Sequence, residues 1–245
     1  MLRYVFGVLI LLAGCATQAP QGPALHPTAH ADFHHDTLAL TWQPGFCAVG
    51  SGCLPDQPRI PLIGLHGLWA SEPGTLEARN IPVQAWWRDG CSLLEQEQDV
   101  TPILDAPLQN QLATIVPHTT HPLVPHEFNK HARCFGYQPG PFFATAAALR
   151  LKFAQSAIGA WLSARAGTMV SHAAMLSFFD QATGNVTPRA LQLQCSRDHQ
   201  GHVVLTQMWF TLRPDRLDVF PKAAAYIASP EPQDNCPAQF LLRRW

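Results

Sequence analysis

Six cysteines, Cys47, Cys53, Cys91, Cys134, Cys195 and Cys236, most limit the folds open to this chain. A seventh, Cys15, closes an N-terminal segment in which Arg3 precedes an apolar run from Tyr4 to Ala13. That run is too short to span a bilayer as a mature helix and reads as a secretory signal. Its end, Leu12-Ala13-Gly14-Cys15, has the form of a bacterial lipobox, in which Cys15 is lipidated and becomes the first mature residue. Ordinary cleavage between Ala16 and Ala19 is the alternative. Exported proteins meet oxidising surroundings, so the remaining even set of six reads as three disulfides, with 15 pairings open to sequence alone. A zinc site is disfavoured, because no close Cys-x-x-Cys pair is present.

The rest of the chain supports one domain. Apolar residues make up 47% of 245 residues, enough for a sizeable core, while charged residues are only 13% and prolines number 22. Such a balance fits modest elements joined by ordered loops. A net charge of −1 excludes a protein that holds nucleic acid by a broad basic field, but not an enzyme that grips a few phosphates locally. Residues 1–15 are taken as the signal, 16–36 as a tether rich in Ala, Pro, Gln and His, and 37–245 as one domain.

Within that domain Leu38 to Trp42 has strand character and ends in a Pro44-Gly45 turn. The apolar run Pro61 to Leu65 puts His66 at a strand end. Helices are predicted over Pro107 to Val116, Pro141 to Ala166, and Ser171 to Gln181, the last with Ser171 as N-cap and Gly184 beyond its end. Thr187 to Cys195 and His202 to Leu212 read as strands joined by a hairpin at Asp198 to Gly201. Strands and helices do not alternate regularly, so the expected class is α+β, with helices packed on an antiparallel sheet.

Two segments carry the chemistry: Leu65-His66-Gly67-Leu68-Trp69, and His126 to Cys134. Taken as a helix, the second stacks His126 on Lys130 and Glu127 on His131, four residues apart, so one face shows two imidazoles, a carboxylate and an ammonium. A solvated polar face is the simpler alternative. A His-Glu-x-x-His zinc site is disfavoured, since the second histidine here comes five residues on, roughly 140° around the helix. Metal-free cleavage of RNA suits these groups. The substrate brings its own 2′-OH nucleophile, and imidazoles near their unperturbed pKa of about 6.5 serve as base and acid. A cation then stabilises the pentacoordinate phosphorus. DNA lacks the 2′-OH and is not cut this way.

Together the segments resemble the paired active-site motifs of the ribonuclease T2 family: His-Gly-Leu-Trp, then His-Glu-x-x-Lys-His followed by a cysteine. Leu40 to Cys47 resembles the first strand of bacterial members. The resemblance implies a disulfide-stapled α+β fold and an endoribonuclease acting on single-stranded RNA through a 2′,3′-cyclic phosphate, with low base specificity and no cofactor. It implies His66 as general acid, His131 as general base, and Glu127 and Lys130 as stabilisers of the pentacoordinate state. His126 would contact the phosphate, with Trp69 and Phe128 beside the base. It also implies the pairs Cys91–Cys134 and Cys195–Cys236, which leaves Cys47–Cys53. A periplasmic monomer follows, touching membrane only through a lipid on Cys15. A non-catalytic RNA-binding or envelope interaction protein on the same fold is the alternative. Ala70, Ser71, Phe128, Ala132 and Arg133 depart from the family pattern, which puts inherited base preference in doubt.

Overall fold

The computed structural model describes residues 22–95 and 98–245; the signal segment and Cys15 lie outside the described residues. In chain order the elements are β1 (Asp36–Trp42), α1 (Gln43–Phe46), β2 (Ile63–Ala70), α2 (Gly74–Glu77), α3 (Val83–Asp89), α4 (Ala106–Ile115) and α5 (Leu123–His131). After these come α6 (Pro139–Ala154), α7 (Ala157–Ser163), β3 (Thr168–Ser171), α8 (His172–Thr183), β4 (Leu191–Arg197), β5 (Val203–Leu212) and β6 (Gln239–Leu242).

The strands form one sheet in the order β2-β1-β5-β6-β3, with β4 also paired to β5. All pairings are antiparallel except the Val204–Leu241 contact between β5 and β6. The architecture is the α+β one expected. Alternation along β1 sends Leu38, Leu40 and Trp42 into the core, where all three are fully buried. Helix α6 covers that side. Its buried Arg150 donates from both Nε (2.7 Å) and Nη2 to the carbonyl of Ile63, tying the helix to the start of β2. Phe153 of the same helix packs on Phe210 of β5 with ring centroids 4.8 Å apart.

Several boundaries differ from the sequence expectation. The single helix over 141–166 is two, because the Ser156 hydroxyl both donates to the Phe153 carbonyl and accepts from the Gly159 amide to cap α7. Ser171 caps α8 and Gly184 ends it at φ +95°, as its residue types suggest. The four-residue strands β3 and β6 are too short to show a period in the sequence. Residues 22–35 are not a free tether: Leu25 and Phe33 pack on the core, and the Thr28 and Ala29 amides donate to the Phe135 carbonyl. Phe33 meets Phe135 edge-on at 5.1 Å. Two apolar anchors suffice to hold a stretch whose composition is otherwise that of a linker. The sulfurs are bonded as Cys47–Cys53, Cys91–Cys134 and Cys195–Cys236.

Candidate active site

His66 is not at a strand end but in the middle of β2. The β1–β2 register runs Ala39 to Gly67 and then Leu40 to Leu65, so His66 is the extra residue of a β-bulge. The consequence is geometric. Residues three apart on a regular strand face opposite ways, yet the bulge lets Leu65 and Leu68 both enter the core while His66 and Trp69 both line an open cleft. Bulges re-aim side chains in this way beside functional sites.

The second segment is α5. Three attachments hold it. Phe128 is 5% exposed and packs against Phe142 and Phe143, each 6.4 Å away. Asn129 donates to the Val100 and Pro125 carbonyls and accepts from the Val100 amide. Cys134, just past the helix, is bonded to Cys91. Phe128 therefore belongs to the core and not to a base pocket: one residue on from Glu127, it is turned about 100° away from the cleft. The anchored helix presents His126, Glu127, Lys130 and His131 to the same cleft as His66 and Trp69.

At the centre lies Glu127, 1% exposed. Its Oε2 accepts from Trp69 Nε1 at 2.5 Å, and its Oε1 is 3.4 Å from His66 Nε2. Trp69 in turn packs against the ring of His131 (5.4 Å, 33°) and edge-on to His66 (5.4 Å). Burial disfavours ionisation of Glu127, but the hydrogen bond and charge of His66, the electrostatic pull of the His131 ring and the Trp69 N–H together hold its pKa below the usual carboxylate value. His131 moves the opposite way from a simple pairing. Burial lowers its pKa to about 3; Glu127 pulls it up, while Lys130, His126 and His66 push it further down. A carboxylate neighbour alone suggests a raised value, and desolvation outweighs it. His131 is thus a neutral imidazole, able to accept a proton, across the ordinary pH range. The Nδ1 atoms of both His66 and His131 are buried without a hydrogen-bond partner.

Two glycines make this packing possible. A Cβ on Gly67 would overlap the Glu127 carboxylate and come within 2.5 Å of Trp69 Nε1. A Cβ on Gly90, at φ +53°, would run into the Lys130 backbone and lie 2.6 Å from its Cγ. Sequence reasoning passed over both, because neither has a functional group; their signal lies in what packs against them.

The cleft, about 530 Å³, extends past the reactive groups. Trp209 of β5 stands 5.5 Å edge-on to Trp69, and Trp87, 39% exposed, lines it too, whereas its neighbour Trp86 is buried. Ser71 is occupied, accepting from the His34 and His35 amides. The next residue, Glu72, is buried with Oε1 unpartnered, and burial with the nearby Glu77 and Glu231 raises its pKa. His34 and His35 reach the rim of the cleft from the N-terminal strap, whereas His118 pairs with Asp56 in a separate groove. His126, Glu127 and His131 have potential ligand atoms within 4.8 Å of one another, the one such group among the described residues. Lys130 lies beside them, and Glu127 is already engaged with Trp69 and His66.

Comparison with known proteins identifies the family and the fold. The sequence model described as Ribonuclease T2 family matches residues 33–225. The chain is 25% identical over 244 residues to Ribonuclease I of Escherichia coli (strain K12), covering 89% of each. Its fold is similar to RNase NT, solved in complex with 5′-AMP (TM-score 0.60, 17% identity, 87% of this chain and 100% of that one). It is also similar to the self-incompatibility-associated SF11-RNase of Nicotiana alata (TM-score 0.58, 18% identity, 87% and 100%). Ribonuclease MC1 from bitter gourd seeds gives a TM-score of 0.55 at 18% identity, over 85% and 100%.

Proposed function

The chain belongs to the ribonuclease T2 family, and from that membership we propose that this RNA endonuclease cuts single-stranded RNA by metal-free transphosphorylation, with low base specificity. The observation that carries the reading is the pair of imidazoles, one from β2 and one from α5, set around a single buried carboxylate.

The roles follow from the environments. His131, neutral in the free protein, takes the proton of the 2′-OH; the 2′-oxygen attacks phosphorus, and the bond to the 5′-oxygen breaks as His66 protonates that oxygen. The products are a 2′,3′-cyclic phosphate and a free 5′-hydroxyl. As His131 acquires its proton it gains a positive charge, and the Glu127 carboxylate beside it is the counter-charge. Lys130 supplies positive charge toward the phosphate oxygens, and His126 contacts the phosphate. Glu127 acts on the pentacoordinate state through the imidazoles it holds, since a carboxylate has no direct attraction for a phosphorane. Trp69, its N–H spent on Glu127, has its ring left to contact a base, with Trp209 and Trp87 nearby. Ring faces read bases tolerantly, which supports broad specificity. DNA is not a substrate in this scheme.

Export belongs to the same reading. Residues 1–15 act as a signal ending at a lipidated Cys15, and the three disulfides support maturation in an oxidising compartment. The mature protein works in the periplasm as a monomer, with residues after Cys15 leading to the strap at 22–35. Among the described residues no helix is long and apolar enough to cross a membrane.

The test is product analysis. The purified protein is incubated with RNA in EDTA and the ends are identified. Oligonucleotides ending in 2′,3′-cyclic phosphate support the reading; loss of cleavage on chelation, or 5′-phosphate ends, overturns it.

A further inference from the structure

One wall of the main cleft carries carboxylates that no cation among the described residues answers. Glu72 follows β2, Glu77 ends α2 and Glu231 lies in the loop before β6, and all three line the cleft. We propose that this wall binds a linear aliphatic polyamine, its ammonium groups shared among the three carboxylates and the Trp87 ring. The site stands on the geometry alone; its effect on RNA cleavage rests on the ribonuclease reading above.

Charge is the first argument. Among the described residues lining the cleft there are four glutamates, one lysine and no arginine. Glu127 is engaged by His66 and Trp69. The side chains of Glu72, Glu77 and Glu231 make no hydrogen bond or ion pair among the described residues. Glu72 is 6% exposed, with Oε1 unpartnered, and a buried carboxyl in that state is costly until a donor or cation reaches it. Burial, and then the charges of Glu77 and Glu231, raise its pKa, so the three groups sense one another. His35 at the rim gives no counter-charge, since burial and His34 lower its pKa to about 4.

Spacing selects the ligand. One metal ion needs its ligand atoms close together, and among the described residues only His126, Glu127 and His131 bring three such atoms within 4.8 Å of one another. The carboxylates of the wall are too spread for a single ion, whereas a polyamine sets successive ammonium groups several ångströms apart on an apolar chain. Val83, Trp87 and Pro230 line the same cleft. Methylenes pack on such side chains, and an ammonium is attracted to an indole face. The wall is also held in shape. Trp86 donates from Nε1 to the Ala70 carbonyl at 3.1 Å, fixing α3, which carries Trp87, to the end of β2. Arg189 Nε donates to the Ser229 carbonyl at 2.8 Å and the Ser229 hydroxyl to the Glu231 carbonyl at 3.0 Å, bracing the loop that carries Glu231. The substrate supplies the role: carboxylates repel RNA phosphates, and a polycation seated between them removes that repulsion.

The experiment titrates spermidine calorimetrically into the purified protein at fixed ionic strength, with magnesium chloride as the comparison cation. One saturable site is expected for spermidine and none for magnesium ion. Glu72→Gln/Glu231→Gln should weaken spermidine binding at least about tenfold, since two of the three counter-charges are gone. Asp215→Asn/Asp218→Asn, at exposed residues outside the cleft, should leave it unchanged. Thermal melting shows that each variant is folded, and spermidine should raise the midpoint of the wild-type protein but not of the double Gln variant. Glu77→Gln, at an exposed residue, carries the same test without touching the buried position. On RNA, spermidine should raise the wild-type kcat/KM, while the double Gln variant should already cut at the raised rate and gain nothing further. A merely structural role for Glu72 would lower the rate instead and overturn the proposal. So would spermidine binding equal in all variants, or a site that magnesium fills as well. Saturable spermidine binding by a protein that cuts no RNA would overturn the ribonuclease reading and leave the amine site standing.

Discussion

Gly67→Ala is the sharpest test of how the site is assembled, because it adds one methyl group and removes no functional atom. Ordinary contact for a Cβ begins near 3.4 Å, whereas the added carbon would lie 2.8 Å from Glu127 Cδ and 2.5 Å from Trp69 Nε1, with Glu127 Oε2 closer still. The indole must therefore retreat by about 0.9 Å and the carboxylate oxygen by more than about 1 Å. Neither can move freely. Glu127 sits on a helix pinned by Phe128, Asn129 and Cys134, and Trp69 is wedged between His131 and Trp209. Displacements near 1 Å in a catalytic constellation cost roughly 10²-fold in rate, about 2.7 kcal/mol of barrier. Replacing glycine within a strand normally favours folding by about 0.5–1 kcal/mol, so any loss of stability reports the clash. The expected outcome is a folded protein, by circular dichroism and thermal melting, with kcat/KM on RNA reduced on the order of 100-fold. Activity within threefold of wild type would refute the claim that the Trp69–Glu127–His66 contacts set the rate.

Other outcomes follow from the same geometry. With His131 lowered to about 3 by burial, the base stays neutral as the pH falls, so the acid limb of kcat/KM should lie well below the ordinary histidine range, with the plateau persisting to roughly pH 4. An acid limb at the unperturbed histidine value of about 6.5 would show that burial does not control this ring. Phe128→Ala should destabilise the fold by about 3–5 kcal/mol in denaturant titrations and leave relative rates on different bases unchanged. Cys91→Ala with Cys134→Ala opens a loop of sequence separation 43, worth up to about 4 kcal/mol by chain entropy. Near its midpoint that variant should lose activity together with helix α5.

Much of the site was legible in the chain. The i, i+4 spacing of His126 with Lys130 and of Glu127 with His131 depends only on helical pitch, and the structure keeps all four on one cleft. Ser171 and Gly184 likewise mark the ends of α8 through their own local chemistry. Where the reading failed, the deciding partner was distant in sequence. Strands β3 and β6 exist because they pair with each other about seventy residues apart. The strap at 22–35 is held by Phe135 and Ser71.

Side-chain types and short-range periodicity determined which groups could move protons, since those properties belong to a residue and its immediate neighbours. Tertiary structure alone decided how they act. The bulge at His66 arises from the register between two strands and turns that ring toward Glu127. Phe128 became core because the helix is rotated by what it packs on, and His131 became a neutral imidazole because burial outweighs the carboxylate beside it. Register, packing and desolvation are sums over contacts from all along the chain, and they take values only once the chain has folded.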